Sequence, residues 1–257
     1  MKLHFLGTCS GTEPMPGRHH TSWVLETEGR LYWFDAGEGC SYTGYLMGLD
    51  PMAIAKIIIS HPHIDHVGGL ANLLAVIKKI NSREKRLPIF GDIDVYIPSM
   101  DTWDGVCRVL DASDKTWHKG YEVRANSVTD GVLFDDGYVR VTAYHNYHLK
   151  GRCFEPWQSF SYRIECEGKR VVFSGDIGAY NELDAVIGEG CDAAIAETGH
   201  FGIDDVRDYF ATKKYGHIFF CHNGREILNF PEQSQEKVRT YFEGHGTICE
   251  DGMTVEL

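Results

Sequence analysis

The sequence predicts an α/β protein folded as one domain over residues 1–257. Three observations carry this. Short runs of apolar and β-branched residues recur along the chain and read as strands. One of them passes through a histidine cluster into a stretch with helical periodicity. No repeat, low-complexity tract or Pro/Gly/Ser-rich linker marks a boundary. With 257 residues, 43% hydrophobic and 24% charged, the chain can bury a substantial core.

Residues 2–6 are short and apolar. Residues 22–26 and 31–34 flank Glu28-Gly29, a polar turn holding the glycine that a hairpin favours. Residues 56–60 (KIIIS) form a β-branched run that stops at His61. Between residues 67 and 80, Val67, Leu70, Leu73, Leu74, Ile77 and Ile80 recur at helical spacing, which predicts a helix with one buried face. Residues 81–121 are the least regular: 83–86 read as a charged turn, 87–91 as a strand and then a turn, and Trp103 and Trp117 follow. This stretch is expected to be a lid over the cleft or an interface insertion, through which two copies would pair as a homodimer. Strands resume at 121–127, 138–144, 159–165, 170–174, 193–196 and 217–221, several ending in Gly, Asp or His. Strand ends are where open sheets place their chemistry.

There are 25 basic residues against 37 acidic ones, a formal charge of −12. A surface this acidic repels phosphate at long range, which disfavours nucleic acid as the main partner. No apolar run approaches the roughly 20 residues needed to span a bilayer. The opening MKLHFLGTCSGTEP, broken by Gly7 and Gly11, is not expected to be a signal peptide. The eight cysteines (Cys9, Cys40, Cys107, Cys153, Cys166, Cys191, Cys221 and Cys249) form no C-x-x-C pair, and they read as reduced thiols of a cytoplasmic protein.

The strongest signal is His61-Pro62-His63-Ile64-Asp65-His66, three imidazoles and a carboxylate between a strand and a helix. His61 and His63 are two apart, so an extended backbone points them the same way, while Asp65 and His66 lie at the turn into the helix. Such a loop can feed two neighbouring metal positions. Imidazole nitrogen with a hard carboxylate suits Zn2+, and Mn2+ or Fe is accepted by the same donors. One loop cannot close two sites. Further candidates stand at predicted strand ends: His145 or His148 in VTAYHNYH, Asp176 in FSGDIG and His222 in IFFCHNG.

With its H-x-H-x-D-H motif, the chain resembles the metallo-β-lactamase superfamily over nearly its whole length. The resemblance implies an αββα sandwich of two mixed β-sheets flanked by helices, with two divalent metal ions at one edge. It implies that His61, His63 and His148 hold one metal, that Asp65, His66 and His222 hold the other, and that Asp176 bridges them. The family spacing from Val141 favours His148 over His145, which has the opposite strand parity. Aspartate at 176 is similar to the phosphodiesterase and thioesterase branches, whereas true β-lactamases carry cysteine there. The openings FLGTCSG and WFDAGEG resemble those of tRNase Z-like phosphodiesterases, in which the residue matching Asp35 supports the ligand loop without binding metal.

Two departures set the chain apart from a tRNase Z. The family's His-Glu-Ala-Thr motif is matched by Ala196-Glu197-Thr198-Gly199, with Ala196 where histidine stands, and no basic, Gly-rich arm is present. The expectation is a metal-dependent hydrolase that uses a hydroxide held by a dinuclear metal centre to cleave a small or cyclic phosphodiester, not tRNA. Asp65 would hold the nucleophile, and His200 would give the leaving oxygen its proton. A thioester or lactone hydrolase on the same centre, or a non-catalytic metal-bearing sensor, is the alternative. Lys150, Arg152 and Arg225 are weaker candidates for a phosphate clamp, Trp157 for a stacking ring, and His19 and His20 for the cleft border.

Overall fold

Strand β1 (Lys2–Gly7) and the hairpin of β2 (Ser22–Thr27) and β3 (Arg30–Phe34) begin a mixed sheet. Thr27 pairs with Arg30 across Glu28 (φ 48°) and Gly29 (φ 72°), so the two-residue turn is left-handed at both positions, as the twist of a hairpin requires. Beyond the hairpin the sheet becomes parallel, through β4 (Ile54–Ile58), β5 (Ile93–Ile97) and β6 (Val123–Ser127). With strands numbered along the chain, the last one, β14 (Met253–Glu256), pairs antiparallel with β1, and the order is β14-β1-β2-β3-β4-β5-β6.

The structure is a computed structural model that describes residues 1–114, 116–149, 151 and 156–257. The chain falls into two units, and the first sheet belongs to unit 1 (Met1–Gly7, His19–Ser127 and Asp251–Leu257). Helices α1 (Cys40–Leu46), α2 (Ile64–Val67), α3 (Leu70–Glu84) and α4 (Met100–Ser113) lie in the same unit. The apolar face of α3 (Leu70, Leu73, Leu74 and Ile77) packs into one cluster with Ile57, Ile59, Val95 and Trp33. The expected helix from 67 is broken at Gly68-Gly69. There the chain approaches so closely that a Cβ on Gly69 would lie 2.3 Å from the Gly37 carbonyl oxygen, while the Gly69 amide donates to Ala36.

The stretch 81–121, expected to be a lid or an interface insertion, contributes β5 to the sheet, between β4 and β6, and α4 to its cover. Trp103, Leu110, Trp117 and Tyr121 are part of the unit 1 core. The strand expected near 87–91 lies instead at β5, where Ile93, Val95 and Ile97 are buried and Asp94 and Tyr96 half-buried. Asp92 and Asp94 hid this alternation among polar residues.

Unit 2 (Thr8–Arg18 and Val128–Glu250) holds the second mixed sheet. Strands β7 (Gly131–Asp135), β8 (Val139–His145), β9 (Phe160–Cys166) and β10 (Lys169–Phe173) run antiparallel in turn. Strands β11 (Cys191–Thr198), β12 (Tyr215–Asn223) and β13 (Gly246–Ile248) continue it in parallel. Residues 193–198 and 218–223 are buried without interruption, as inner parallel strands covered on both faces should be. Helices α5 (Asp184–Ile187), α6 (Ile203–Phe210), α7 (Arg225–Asn229) and α8 (Pro231–Phe242) complete the unit, and Phe210, Val206, Val238 and Phe242 pack with Ile218 and Phe220. Each unit therefore has a mixed sheet flanked by its own helices. The chain passes between them after residues 7, 18, 127 and 250.

No helix among the described residues is long and apolar enough to cross a membrane.

Candidate metal centre

In unit 1 the histidine loop starts where β4 ends. Parallel pairing of Phe34 with Ile58 brings the ends of β3 and β4 side by side, placing Asp35 next to Ser60. Asp35 is fully buried and adopts φ 53°, a left-handed conformation that aspartate tolerates better than most residues. Its Oδ1 accepts from the Ser60 amide at 2.6 Å. Its Oδ2 accepts from Ser60 Oγ at 2.8 Å and from His66 Nδ1 at 2.7 Å. Ser60 Oγ in turn lies 3.1 Å from His61 Nδ1. With Nδ1–H donating in both rings, His61 and His66 carry their lone pairs on Nε2, the tautomer that a metal ligand needs.

The His61 ring lies 4.6 Å from that of His63 and 4.1 Å from that of His66, and Asp65 Oδ2 is 3.4 Å from His66 Nε2. His61, Asp65 and His66 are buried, and His63 is exposed. The loop after β3 folds tightly against this segment: a Cβ on Gly37 would come within 2.6 Å of the Asp65 carbonyl oxygen and 2.5 Å of the His20 carbonyl. Asp35 thus has the bonds expected of a support for the ligand loop. Ser60 was not singled out in the sequence, where it reads only as the end of a strand.

Asp35→Asn keeps the shape of the side chain but can turn an amide N–H toward His66 Nδ1. The ring then favours its other tautomer, with the proton on Nε2. Zinc affinity is expected to fall about 10–100-fold, measured by competition with a chromophoric chelator. Unchanged affinity would show that the bond does not set the ring.

In unit 2 the candidate residues stand at the carboxyl ends of β8, β10, β11 and β12. His148 Nε2 lies 3.6 Å from Asp176 Oδ2, and His222 Nε2 lies 3.3 Å from the same oxygen. Asp176 and His222 are buried. His222 adopts φ 49°. Gly199 makes room for its ring, since a Cβ there would lie 2.3 Å from His222 Nδ1. His148 is placed by an Asx turn in which its amide donates to Asn146 Oδ1 at 3.2 Å, while Asn146 Nδ2 reaches Ser161 Oγ.

His145 is turned elsewhere, with its amide and Nδ1 each 2.6 Å from Asp130 and its ring stacked on Trp157. Strand parity does not separate the two histidines as expected, because β8 ends at His145 and His148 lies in the turn beyond.

Glu197 occupies the end of β11. Its Oε1 accepts from the Ile177 amide at 2.7 Å, and its Oε2 lies 2.7 Å from His200 Nδ1 and 3.5 Å from His222 Nδ1. Burial and the neighbouring Asp176 charge push the Glu197 carboxyl up, but hydrogen bonding to His200 and His222 and the charge of His222 outweigh them and hold it below its ordinary value. The bond to Glu197 in turn raises the His200 pKa. His200 is 44% exposed in its side chain, with its ring 4.8 Å from that of His148. From the sequence, Glu197 is only a member of the Ala196-Glu197-Thr198-Gly199 motif and has no role assigned to it. The signal for Glu197 was the carboxylate closing the apolar run Ala193-Ala194-Ile195-Ala196.

Asp176, Glu197, His200 and His222 bring one donor atom each within 4.8 Å of one another. The donors of both units are imidazole nitrogen and carboxylate oxygen, a set that suits divalent cations. Cys221 is buried and forms no part of these groups. Of the expected phosphate clamps, Arg225 is engaged by Glu13 at 2.6 Å and 3.1 Å, and Lys150 and Arg152 lie outside the described residues. His19 pairs with Glu38 at 2.9 Å.

Residues 34–224 match the beta-lactamase superfamily domain, and the chain belongs to that family. Within it the relatives are of the ribonuclease Z-like branch. The chain is 31% identical over 175 residues to ribonuclease BN of Cronobacter sakazakii, covering 66% of this chain and 51% of that one. It is 41% identical over 160 residues to ribonuclease Z of Treponema denticola, covering 60% and 48% respectively. It thus spans about half the length of these relatives. Among solved structures, the short form of human tRNase Z is similar, with a TM-score of 0.72 at 20% identity, covering 100% of this chain and 99% of that one, and it shows the metallo-β-lactamase fold. These relatives overturn the expectation that tRNA is no partner. That expectation rested on Ala196 standing where the family's motif has histidine, on the lack of a basic, Gly-rich arm and on the net charge of −12, which sums over the whole surface and does not set the sign of the potential at one site.

Proposed function

We propose that the chain is a metal-dependent phosphodiesterase. His61, His63 and His148 would hold one divalent cation, Asp65, His66 and His222 a second, and Asp176 both, with the two units acting as a single hydrolase domain. The observation that carries the reading is the buried Asp176 carboxylate facing two imidazoles at the end of β10, in a chain whose relatives include ribonucleases. Zn2+ is the proposed metal, as a common partner of imidazole and carboxylate donors, with Mn2+ or Fe accepted by the same set.

A bound pair of such cations supplies a water of lowered pKa as nucleophile and positive charge for the phosphoryl oxygens. The chain's own residues do the rest. Asp35 and Ser60 fix the rings of His61 and His66. Asp65 orients the attacking water through a carboxylate oxygen. His200, held by Glu197, gives its proton to the departing oxygen. A small or cyclic diester satisfies these requirements, and RNA enters the substrate class through the ribonuclease relatives.

The test is a panel assayed with added zinc or manganese and again with chelator: an aryl diester, a 2′,3′-cyclic nucleotide, a tRNA precursor with a 3′ trailer, a thioester and a lactone. Turnover of diesters that chelator abolishes is the expected result. Turnover confined to the thioester or lactone would overturn the reading. No turnover by protein with a full metal complement would also overturn it, in favour of a metal-bearing sensor.

A further inference from the structure

Unit 2 contains a cavity of 540 Å³ lined by Val128, Thr129, Asp130, Pro156, Trp157 and Phe160. Its volume suits a small organic ligand. Trp157 is backed by His145, whose ring lies parallel at 4.1 Å and 8°, and Tyr147 stands edge-on to both at 5.5 Å and 5.6 Å. Asp130 pins His145 through both its amide and Nδ1, so the indole rests on a ring that is itself held.

This aromatic ledge is tied to the candidate ligand segment. Glu182 accepts from the amides of Tyr147 and Gly178 at 3.1 Å each, and the neighbours of those two residues in sequence are His148 and, two residues back, Asp176. Tyr147 is 46% exposed, and Trp157 is only partly covered.

We propose that this cavity receives the nucleobase of the substrate, which makes the preferred phosphodiester a nucleotide. The inference rests on the phosphodiesterase reading. A flat ring stacked on a held indole gains from contact with either face, and such stacking tolerates any base. An acyl chain would need no polar wall, yet the residues lining this cavity include Thr129 and Asp130. A carboxylate has about four acceptor positions. Two are used on His145, which leaves Asp130 able to accept from the N–H groups at a base edge.

The experiment measures binding apart from turnover. Adenosine 5′-monophosphate and ribose 5-phosphate, which differ in the base alone, are titrated calorimetrically into metal-loaded wild-type protein, Trp157→Ala and Trp157→Leu. Wild type is expected to favour the nucleotide by about 5- to 100-fold, and both variants to lose most of that ratio. Trp157→Leu keeps much of the packing volume and guards against a folding defect. Kinetics with two p-nitrophenyl diesters, one carrying thymidine and one methyl, should show the variants losing kcat/KM on the nucleoside diester more than on the methyl diester, chiefly through KM. Equal wild-type affinity for the two phosphates, or a ratio that survives both substitutions, would overturn the cavity's assignment. Failure to hydrolyse either diester while the binding ratio stands would instead remove the phosphodiesterase reading.

Discussion

Asp176→Ala is expected to lower diester hydrolysis by about 10²–10⁴-fold and to strip the protein of metal during gel filtration. Losing a residue that merely supports a ligand costs about 10–100-fold. As the proposed ligand of both cations, Asp176 would have that effect at each, and the two multiply. The metal-free fold should not suffer. Asp176 is buried beside Glu197, and the charge of each carboxylate opposes that of the other. Removing one relieves this, so the melting temperature in chelator should be equal to the wild type or higher. Only the rise on adding zinc, which follows from binding to the folded state, should disappear. Elemental analysis gives the metal content and a thermal melt gives the rest. Retention of the wild-type metal content by Asp176→Ala would end the bridging assignment.

His200→Ala is expected to slow the reaction according to the leaving group. A positioned acid contributes about 10²–10⁴-fold when the departing oxygen needs a proton, as a ribose alkoxide does. A p-nitrophenolate leaves without one. The variant should therefore lose most of its activity on a cyclic nucleotide or RNA and little on the nitrophenyl diester. Glu197→Gln should move in the same direction with a smaller loss, because its Oε2 holds both the amide and the ring of His200. An equal loss on both substrates would assign His200 to metal binding or packing. His200 Nδ1 lies 3.9 Å from Asp176 Oδ2.

Much of the site was legible because its chemistry is local. Three histidines and an aspartate within six residues, between a β-branched run and an apolar helix face, announce a metal loop from composition and spacing alone. Asp176 and His222 stood out because each closes an apolar strand with a polar residue. Ser60 and Glu197 were not legible in the same way. Their roles depend on hydrogen bonds to residues 25 positions away, to Asp35, and on contacts with His200 and His222. Residues 81–121 misled for a related reason. Strand β5 is five residues long with Asp94 inside it and Asp92 just before it, and its place between β4 and β6 is set by long-range pairing that no local pattern encodes.

The sequence by itself determined the α/β class, the histidine loop and the donor types available for a cation, since periodicity and ligand chemistry are properties of short segments. Only the tertiary structure decided which histidine of the 145–148 segment meets Asp176, which carboxylates set the imidazole tautomers, and that Trp157 rests on a pinned ring beside a cavity. Those are outcomes of packing between strands distant in sequence. Their energies depend on burial and on hydrogen-bond geometry, which a list of residue types does not contain.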